Sequence, residues 1–304
     1  MSRIAPAAVG AGASPRIAVV TASRGRTEAL VAKARSLSAQ TLGPTGFEWC
    51  LWLNETPDDV RRTRERLHEL ALPFALCVDG GADHPVGRAR NLAAGMARAP
   101  VLLLSDDDVT HAPGALAAHV AFHELRSAVV GIGSLRLPDA LRAGRRREPF
   151  ERAAGVGRAR SDGRAHWSNA TGANTSVPRA AFEAVGGYDD AWRGYGGEDP
   201  ELALRLRAAG LTFHHVPGAD AAHHGRIWDD TDKAYRAGRA HVRVARRHPG
   251  AASAWWLGVH PLVLAAKRIA LYGPWSRLID PAVLAYERSY ARGAREARRE
   301  GNEA

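Results

Sequence analysis

The sequence predicts an α/β fold, namely a mainly parallel sheet with helices on both faces, followed by a helical C-terminal extension. Short apolar runs alternate with segments of helical spacing through the first half of the chain, which is typical of strand–helix–strand units. Polar clusters follow four of these runs, and parallel sheets bind ligands at the carboxyl ends of their strands. Beyond residue 225 the sequence turns helical and basic.

The elements of the first half can be placed individually. Strands are predicted at residues 16–21, 47–53, 74–78 and 101–104, with helices at 27–38, 58–70 and 87–97. The run at 101–104 is continuously apolar, as expected for a central strand buried on both faces. The polar residues after the four strands, at 23–26, 54–55, 79 and 105–108, should therefore face one crevice.

The second half is less regular. Strands are predicted at 129–137, 170–177 and 211–216, and helices at 178–185 and 200–209, each followed by glycine. The pattern divides the chain into a disordered N-terminus at 1–14, a sheet domain at 15–225 and a basic helical extension at 226–304.

Composition narrows the class of protein. With 45% hydrophobic and 24% charged residues in 304, the chain should bury a full core. No apolar run reaches about 18 residues, which excludes a membrane-spanning helix. Residues 1–15 lack the apolar core of a signal peptide, so a cytoplasmic location is the default. Cys50 and Cys77 lie in strand-like runs and are expected to be buried small hydrophobes.

The net charge of +10 is concentrated in two blocks. Residues 226–304 hold fifteen Lys/Arg against eight Asp/Glu, and residues 141–165 hold eight Arg against three acids. The blocks are either solvated faces or surfaces that attract phosphate. A nucleic-acid-binding protein would interleave basic and aromatic residues, but Phe150 is the only aromatic residue in 145–165.

Asp106-Asp107-Asp108 directly follows the central strand. Three adjacent carboxylates repel one another near an apolar strand end unless a cation or hydrogen-bond donors neutralise them. Oxygen ligands favour Mg²⁺ or Mn²⁺, which commonly share their coordination with substrate phosphates. A solvated acidic turn is the alternative.

A second candidate lies in WRGYGGEDPELALRL, at 192–206. Gly196 and Gly197 allow a ligand to approach the main chain, and Glu198-Asp199-Pro200 begins a helix, for which Asp199 could serve as a cap only. Paired histidines at 214–215 and 223–224 could supply one imidazole to a metal. Trp167 and Asn169 could line a sugar by stacking and hydrogen bonding.

The order of these segments resembles a GT-A-fold glycosyltransferase of the family 2 type. The resemblance covers about residues 16–225 and rests on RIAVVTASRGR, Asp79, GRARNLAAGMARAPVLLLSDDDVTHAPGAL, ATGANTSVPRAAFEAVGGYDD, GYGGEDPELALRLRAAGL and a following His-His pair. GGED also resembles the C-terminal motif of the galactosyltransferase family 7 group. The resemblance implies the GT-A (Rossmann-like) nucleotide-diphospho-sugar transferase fold and metal-dependent, inverting transfer from a nucleotide sugar, with a UDP-sugar as the expected donor.

The resemblance also implies residue roles. Thr21, Ser23, Arg24, Glu55 and Asp79 would hold the base and ribose, and Arg88, Arg90 and Asn91 would lie near the diphosphate or pack their helix onto the sheet. Asp106 or Asp107 would meet the ribose, Asp108 and Asp106 the Mn²⁺ or Mg²⁺ ion, and His224, or less favoured His223, would complete the metal site. Asp199 would be the general base, with Glu198 beside it on the acceptor side. Ser23-Arg24-Gly25-Arg26 is longer than the family's usual first-strand ending, which leaves the base open.

The sequence leaves three questions open, namely the enzyme class, the acceptor and the role of the extension. A sugar-phosphate nucleotidyltransferase is the alternative enzyme class, but it would need a lysine-bearing phosphate loop, and no lysine occurs between Arg16 and Val31. The acceptor could be a cell-envelope glycan, a lipid-linked sugar or a small molecule. Trp255, Trp256 and the residues that follow could give the extension a peripheral membrane contact, or belong to a packed helical appendage.

Overall fold

The computed structural model describes residues 2–4, 14–136, 163–225 and 231–300, so that most of the Arg-rich block at 141–165 lies outside the described residues. Within the described ranges, nine strands form one sheet in the order β1-β4-β3-β2-β5-β8-β7-β9-β6. The strands are β1 (Ser2–Ile4), β2 (Ile17–Ser23), β3 (Phe47–Leu53), β4 (Ala75–Gly80), β5 (Val101–Leu104), β6 (Val109–His111), β7 (Val129–Arg136), β8 (Thr175–Pro178) and β9 (Thr212–His223).

The predicted α/β fold is confirmed, and its parallel pairs are concentrated in the first half of the chain. Strand β2 lies between β3 and β5 and is parallel to both, and β3 is parallel to β4. In the second half β8 is antiparallel to β5 and β7, whereas β7 and β9 are parallel. The parallel strands bring the carboxyl ends of β2, β3, β4 and β5 to one edge, as the sequence predicts.

Five of the six helices that cover the sheet begin and end close to their predicted limits, and the helix at Ala115–Glu124 was not predicted. The six helices are α1 (Thr27–Ser38), α2 (Pro57–His68), α3 (Val86–Gly95), α4 (Ala115–Glu124), α5 (Arg179–Ala184) and α6 (Glu198–Ala208). The extension contributes α7 (Thr231–Arg247), α8 (Ser253–Trp256), α9 (Pro261–Tyr272) and α10 (Pro281–Glu300). None of the described helices is both long and apolar enough to cross a membrane.

Both faces of the sheet are buried, because alternate residues of each strand enter different cores. On β2, Val20 belongs to the core that also holds Cys50 and Cys77. Its neighbour Val19 belongs to the opposite core, with Trp49. Both cysteines are fully buried, as predicted.

The extension is packed against the sheet domain and against itself. Ala240 and Val244 of α7 share a core with residues of the sheet domain. A side chain at Gly293 of α10 would place its Cβ 2.1 Å from the carbonyl oxygen of Tyr235 on α7. The helices α7 and α10 therefore meet at their backbones, which only glycine permits at that point.

Three features of the strands also differ from the sequence prediction. Ser2–Ile4, inside the segment predicted to be disordered, pairs antiparallel with β4. Strand β9 continues to His223, well beyond the predicted end at 216. Its pairing with the neighbouring strand β7 changes register between Ile132 and Ser134. This continuation pairs with β6, a strand not predicted, so that Val109 lies opposite His223. A pairing between segments more than a hundred residues apart leaves no local signal in the sequence.

Candidate active site

The carboxylate triplet lies at the carboxyl end of the central strand β5, where the sequence places it. Asp107 is buried, and Ser23 at the end of β2 donates a hydrogen bond of 2.7 Å from its hydroxyl to Asp107 Oδ2. Burial raises the pKa of Asp107 above its ordinary value, although Ser23 and Arg26 oppose that rise. The ends of β2 and β5 are thus joined through one buried carboxylate.

Arg26 partly neutralises the triplet from the solvent side. Its guanidinium donates to Asp107 Oδ1 at 3.1 Å and to Asp108 Oδ2 at 2.7 Å. The side chain is about half exposed, at 47%. An arginine in this position reduces the repulsion between adjacent carboxylates, and its contact with Asp108 is to Oδ2.

Lys33 of α1 supports the triplet from inside the protein. Its side chain is fully buried, and its ammonium donates to the Ser105 hydroxyl at 2.5 Å and to the carbonyl oxygens of Asp106 at 2.9 Å and Val109 at 3.1 Å. Burial lowers the pKa of Lys33 to about 8, against the charges of the triplet, which raise it. The loop 105–109 is therefore folded over a buried amine.

Three side chains in the described structure could hold a cation beside the triplet. Ligand atoms of Asp106, Asp108 and His223 all lie within 4.8 Å of one another. His223 Nε2 is 3.5 Å from Asp108 Oδ1. Two carboxylates and one imidazole fit Mn²⁺, and the oxygen-rich character also suits Mg²⁺.

The favoured imidazole of the sequence analysis, His224, is not in this group. Its Nε2 lies 2.8 Å from the Thr110 hydroxyl. The correction follows from the pairing of β6 with β9, because neighbouring residues on a strand point to opposite faces. With Val109 opposite His223, it is His223 that faces the triplet.

Arg90 of α3 connects the triplet to the second acidic group. One guanidinium nitrogen, Nη2, lies 2.5 Å from Asp106 Oδ1, and the other, Nη1, lies 3.1 Å from Asp199 Oδ1. The side chain is 7% exposed. A buried arginine requires such partners, and its two contacts show that the triplet and the start of α6 face one cleft.

Glu198 and Asp199 open α6 at this cleft and differ in their surroundings. Asp199 Oδ1 accepts a second hydrogen bond, 3.0 Å from the Tyr188 hydroxyl. Among the described residues, Glu198 Oε2 is buried without a hydrogen-bond partner. Burial, reinforced by the charge of Asp199, raises the pKa of Glu198 to about 7 from an ordinary 4.5. The Glu198 carboxyl is therefore protonated more readily than an ordinary glutamate.

A cavity of about 740 Å³ opens at the carboxyl ends of β2 and β3. Arg24, Asn54, Glu55 and Asp83 are among its lining residues. The main-chain N–H of Gly25 donates to Glu55 Oε1 at 2.8 Å, which fixes the loop after β2 against the end of β3. The volume is in the range that accepts a nucleotide-sized ligand.

Comparison with known proteins assigns the fold. A family model described as the N-terminal domain of galactosyltransferase matches residues 152–227, which include the Gly196–Asp199 segment. A validoxylamine A glucosyltransferase of Streptomyces hygroscopicus subsp. limoneus is 28% identical over 248 residues, which are 69% of this chain and 52% of the relative. The protein of that name in subsp. jinggangensis is 53% identical over 38 residues, 12% of this chain and 9% of its own. The chain thus spans about half the length of the first relative.

Solved structures are similar over more than nine-tenths of the chain. A mannosyltransferase of Pyrobaculum calidifontis, in complex with GDP-Man and Mn²⁺, has a TM-score of 0.67 at 15% identity, over 95% of this chain and 87% of that one. The chain has a GT-A-like fold. S. aureus TarS has a TM-score of 0.54 at 14% identity, over 92% of this chain and 55% of its own. The galactosyltransferase model and the glucosyltransferase relatives support the predicted enzyme class.

Several predicted site residues of this GT-A-like chain have structural roles. Thr21 is buried and accepts a hydrogen bond of 3.1 Å from the indole of Trp49. Trp167 is buried in the core, which corrects its expected role in stacking on a sugar. Asn91 holds the loop before α6 through Tyr188, to which it makes hydrogen bonds of 2.7 and 2.8 Å. Arg88 is exposed, on the side of α3 opposite Arg90.

The other candidates lie nearer the strand ends. Asp79 is half-buried at the end of β4 and accepts a hydrogen bond of 3.0 Å from the N–H of Gly80. Asn169 is half-buried in a short 3₁₀ turn, Trp167–Asn169.

The glycines before α6 serve packing. Gly196 and Gly197 have φ of +81° and +87°. A Cβ at Gly197 would lie 2.6 Å from the Trp192 ring, and one at Gly196 would lie 3.2 Å from Ala237 of α7. We expected these glycines to let a ligand lie against the backbone. In the structure it is helix α7 and the Trp192 ring that lie against it.

Sequence reasoning assigned no role to three residues of the site, namely Arg26, Lys33 and Tyr188. Lys33 left a signal, because it lies on the same face of α1 as Leu30, Ala34 and Leu37, where a charge is unexpected. Arg26 belongs to the polar cluster after β2, but nothing local distinguishes it from Arg24.

Proposed function

We propose that this chain is a metal-dependent glycosyltransferase that moves a sugar from a nucleotide-diphosphate donor to an acceptor hydroxyl with inversion. The observation that carries the proposal is the double contact of Arg90 with Asp106 and Asp199. It brings a carboxylate of the metal-binding type and a carboxylate of the base type into one cleft. The glucosyltransferase relatives and the Mn²⁺-bound mannosyltransferase support the same reaction class.

The donor nucleotide would occupy the cavity beside β2 and β3. Glu55 and Arg24 line this cavity, and Ser23 joins it to the triplet through Asp107. A base bound there would leave its diphosphate near Asp106 and Asp108. The expected donor is a UDP-sugar, but the similar mannosyltransferase binds GDP-Man, so both nucleotides must be tested.

Asp106, Asp108 and His223 would hold the divalent cation. When bound, the cation would offset the negative charge of the departing diphosphate. To bind the cation through Nε2, the His223 ring must carry its proton on Nδ1. In the structure Nδ1 instead accepts a hydrogen bond of 3.1 Å from the N–H of Gly225. The segment at Gly225 would therefore adjust when the ion binds.

Asp199 is the proposed general base. Both of its hydrogen bonds, from Arg90 and Tyr188, go to Oδ1, which leaves Oδ2 to accept the proton of the acceptor hydroxyl. The oxygen of the acceptor hydroxyl would then attack the anomeric carbon in line with the departing diphosphate. A single displacement of this kind inverts the configuration at that carbon. Glu198, whose pKa is about 7, would keep the site from carrying a further full charge beside the diphosphate.

A peripheral membrane contact is a further part of the proposal. Leu262 and Ile269 of α9 are 64% and 71% exposed, near Trp255 and Trp256 at 51% and 59%. Exposed tryptophan and aliphatic groups beside a basic surface suit an anionic bilayer. The double variant Leu262→Glu/Ile269→Glu should lose sedimentation with vesicles that contain phosphatidylglycerol. The control is Leu125→Glu, at an exposed leucine of the sheet domain (79%), which should still sediment with the vesicles. Equal loss of sedimentation in the control and the double variant would contradict the membrane contact.

Thermal unfolding with ligand panels tests the central proposal. A ligand that binds only the folded protein raises its melting temperature, so Mn²⁺ together with one of UDP, GDP, TDP or CMP should do so. The shift should disappear in Asp108→Ala. Asp199→Asn should keep the shift and lose turnover by about a hundredfold or more. Full turnover in Asp199→Asn would exclude it as the base, and no shift with any nucleotide would contradict the donor site.

A further inference from the structure

A second cavity, of about 330 Å³, lies between the loop before α6 and the helices of the extension. Its lining includes five arginines, namely Arg193, Arg236, Arg239, Arg243 and Arg246. One of these lies on the loop and four on α7. Such a concentration of guanidinium groups around one cavity is unusual for a surface that serves only solubility, where charges of both signs alternate.

The positive charge of this arginine cavity is only partly balanced. Arg239 pairs with Glu300 at 2.6 Å, and Arg236 pairs with Asp232 at 2.8 Å. The other three donate to main-chain carbonyls, which carry no formal charge: Arg193 to Asp190 O at 2.7 Å, Arg243 to Arg193 O at 2.7 Å and Arg246 to Ala297 O at 2.9 Å. Burial and the neighbouring charge of Arg247 lower the pKa of Arg243. The cavity therefore favours an anion.

The arginine cavity adjoins the proposed catalytic cleft. Tyr195, which lines the cavity, stands three residues before Glu198. Arg243, which lines the same cavity, lies over the Trp192 ring at 3.8 Å, and the Trp192 indole donates a hydrogen bond of 2.9 Å to the carbonyl oxygen of Gly196. The segment 192–197 thus connects the arginine cavity to the start of α6, where Glu198 and Asp199 lie.

We infer that the arginine cavity binds a phosphate group of the acceptor. The inference rests on the proposed glycosyl transfer and names its acceptor class. Guanidinium groups bind phosphate with paired, charge-assisted hydrogen bonds. An acceptor whose phosphate lies against Arg243 and Arg246 would extend past Tyr195 toward Asp199, where its hydroxyl is to react. The phosphate could belong to a soluble sugar phosphate or to a lipid headgroup.

Titration of the full-length protein with inorganic phosphate in EDTA tests the site. Phosphate should raise the melting temperature above that in chloride of equal ionic strength. The variant Arg243→Gln/Arg246→Gln should weaken phosphate binding by about a hundredfold, because each of the two lost charged hydrogen bonds costs about tenfold. Glu300→Gln, which releases Arg239, should strengthen it. The matched control Arg268→Gln/Arg299→Gln removes the same charge from exposed positions outside the cavity and should bind normally.

The same variants separate this inference from the proposed function. Arg243→Gln/Arg246→Gln should keep the thermal shift with Mn²⁺ and nucleotide. If phosphate gives no specific shift, or the control loses as much affinity as the cavity variant, the inference is overturned and the donor site stands. If phosphate binds but no nucleotide does, the proposed glycosyl transfer is contradicted. The assignment of the bound phosphate to the acceptor of that reaction is then contradicted as well.

Two further ligands distinguish the source of the phosphate. Competition by glucose 6-phosphate would indicate a soluble acceptor, and sedimentation with phosphatidic acid vesicles, lost in Arg243→Gln/Arg246→Gln, would indicate a lipid. Binding of neither would overturn the inference.

Discussion

The ammonium nitrogen of Lys33 lies 2.9 Å from the main-chain carbonyl oxygen of Asp106. The contact joins the middle of α1 to the loop that carries the three carboxylates. Because the ammonium also reaches Ser105 and Val109, it fixes the loop through its backbone and leaves the carboxylates available. The geometry of the proposed metal site therefore depends on a residue that never contacts the metal.

Lys33→Met should lower the free energy of unfolding by about 3–5 kcal/mol, because it removes a buried charge and leaves three buried acceptors without their donor. It should also weaken Mn²⁺ binding. Denaturant unfolding measures the first effect. The control is Lys267→Met, whose partner Glu287 is partly exposed at 31%, and it should cost about 1 kcal/mol or less. Equal losses in the two variants would show that Lys33 does not support the loop.

Gly172→Ala should displace Arg90. A Cβ at Gly172 would lie 2.4 Å from the Arg90 guanidinium, so the guanidinium must move away from Asp106 and Asp199. We expect turnover to fall by about 10²-fold, the effect of a displacement near 1 Å in an active site. Gly95→Ala, at the end of α3 with no atom within 4 Å of the added Cβ, is the control and should be fully active. An active Gly172→Ala enzyme would argue against a role for the Arg90 bridge.

His223→Ala should weaken Mn²⁺ binding by about tenfold or more, as expected for loss of a metal ligand. His224→Ala should have little effect, because His224 contacts Thr110 and stands outside the group formed by Asp106, Asp108 and His223. The two variants are matched in chemistry and neighbours in sequence. Electron paramagnetic resonance of free Mn²⁺ measures both affinities, and a larger loss in His224→Ala would reverse the assignment.

Glu198→Gln should change how stability depends on pH. The pKa of Glu198 in the folded protein is about 7, above its ordinary 4.5, so the folded state binds more protons than the unfolded state between these values. Its contribution to stability is complete below pH 4.5 and is lost as the pH rises through 7. Relative to wild type, Glu198→Gln should gain on the order of 3 kcal/mol between pH 4 and pH 8. Unfolding in EDTA across this range measures it, and parallel curves would refute a raised pKa.

Local patterns were enough to predict the first half of the sheet and the positions of both acidic groups. The apolar runs that became β2, β3 and β5 carry their own signal, and Asp106 follows the last of them directly. Because parallel strands end at one edge, the crevice followed from the order of the elements. The start of α6 at Glu198 followed from the glycines and the proline around it.

Non-local pairing decided what could not be predicted. The choice between His223 and His224 depends on the register of β9 against β6, and a shift of one residue reverses the faces. Trp167 illustrates a second limit, because an aromatic residue that fits a sugar fits a core equally well. Lys33 could be noticed on an apolar face, but its partners come from a loop about seventy residues away.

The close approach of α7 to Gly196 has a practical consequence for protein engineering. A Cβ at Gly196 would lie 3.2 Å from Ala237 of α7, so that a side chain there would press on this helix, and the same helix supplies four of the arginines of the second cavity. A chimera that took residues 231–300 from one relative and the loop 193–197 from another would join two surfaces that had not been matched to each other. An exchange of acceptor preference would have to transplant the loop and the helix as one piece.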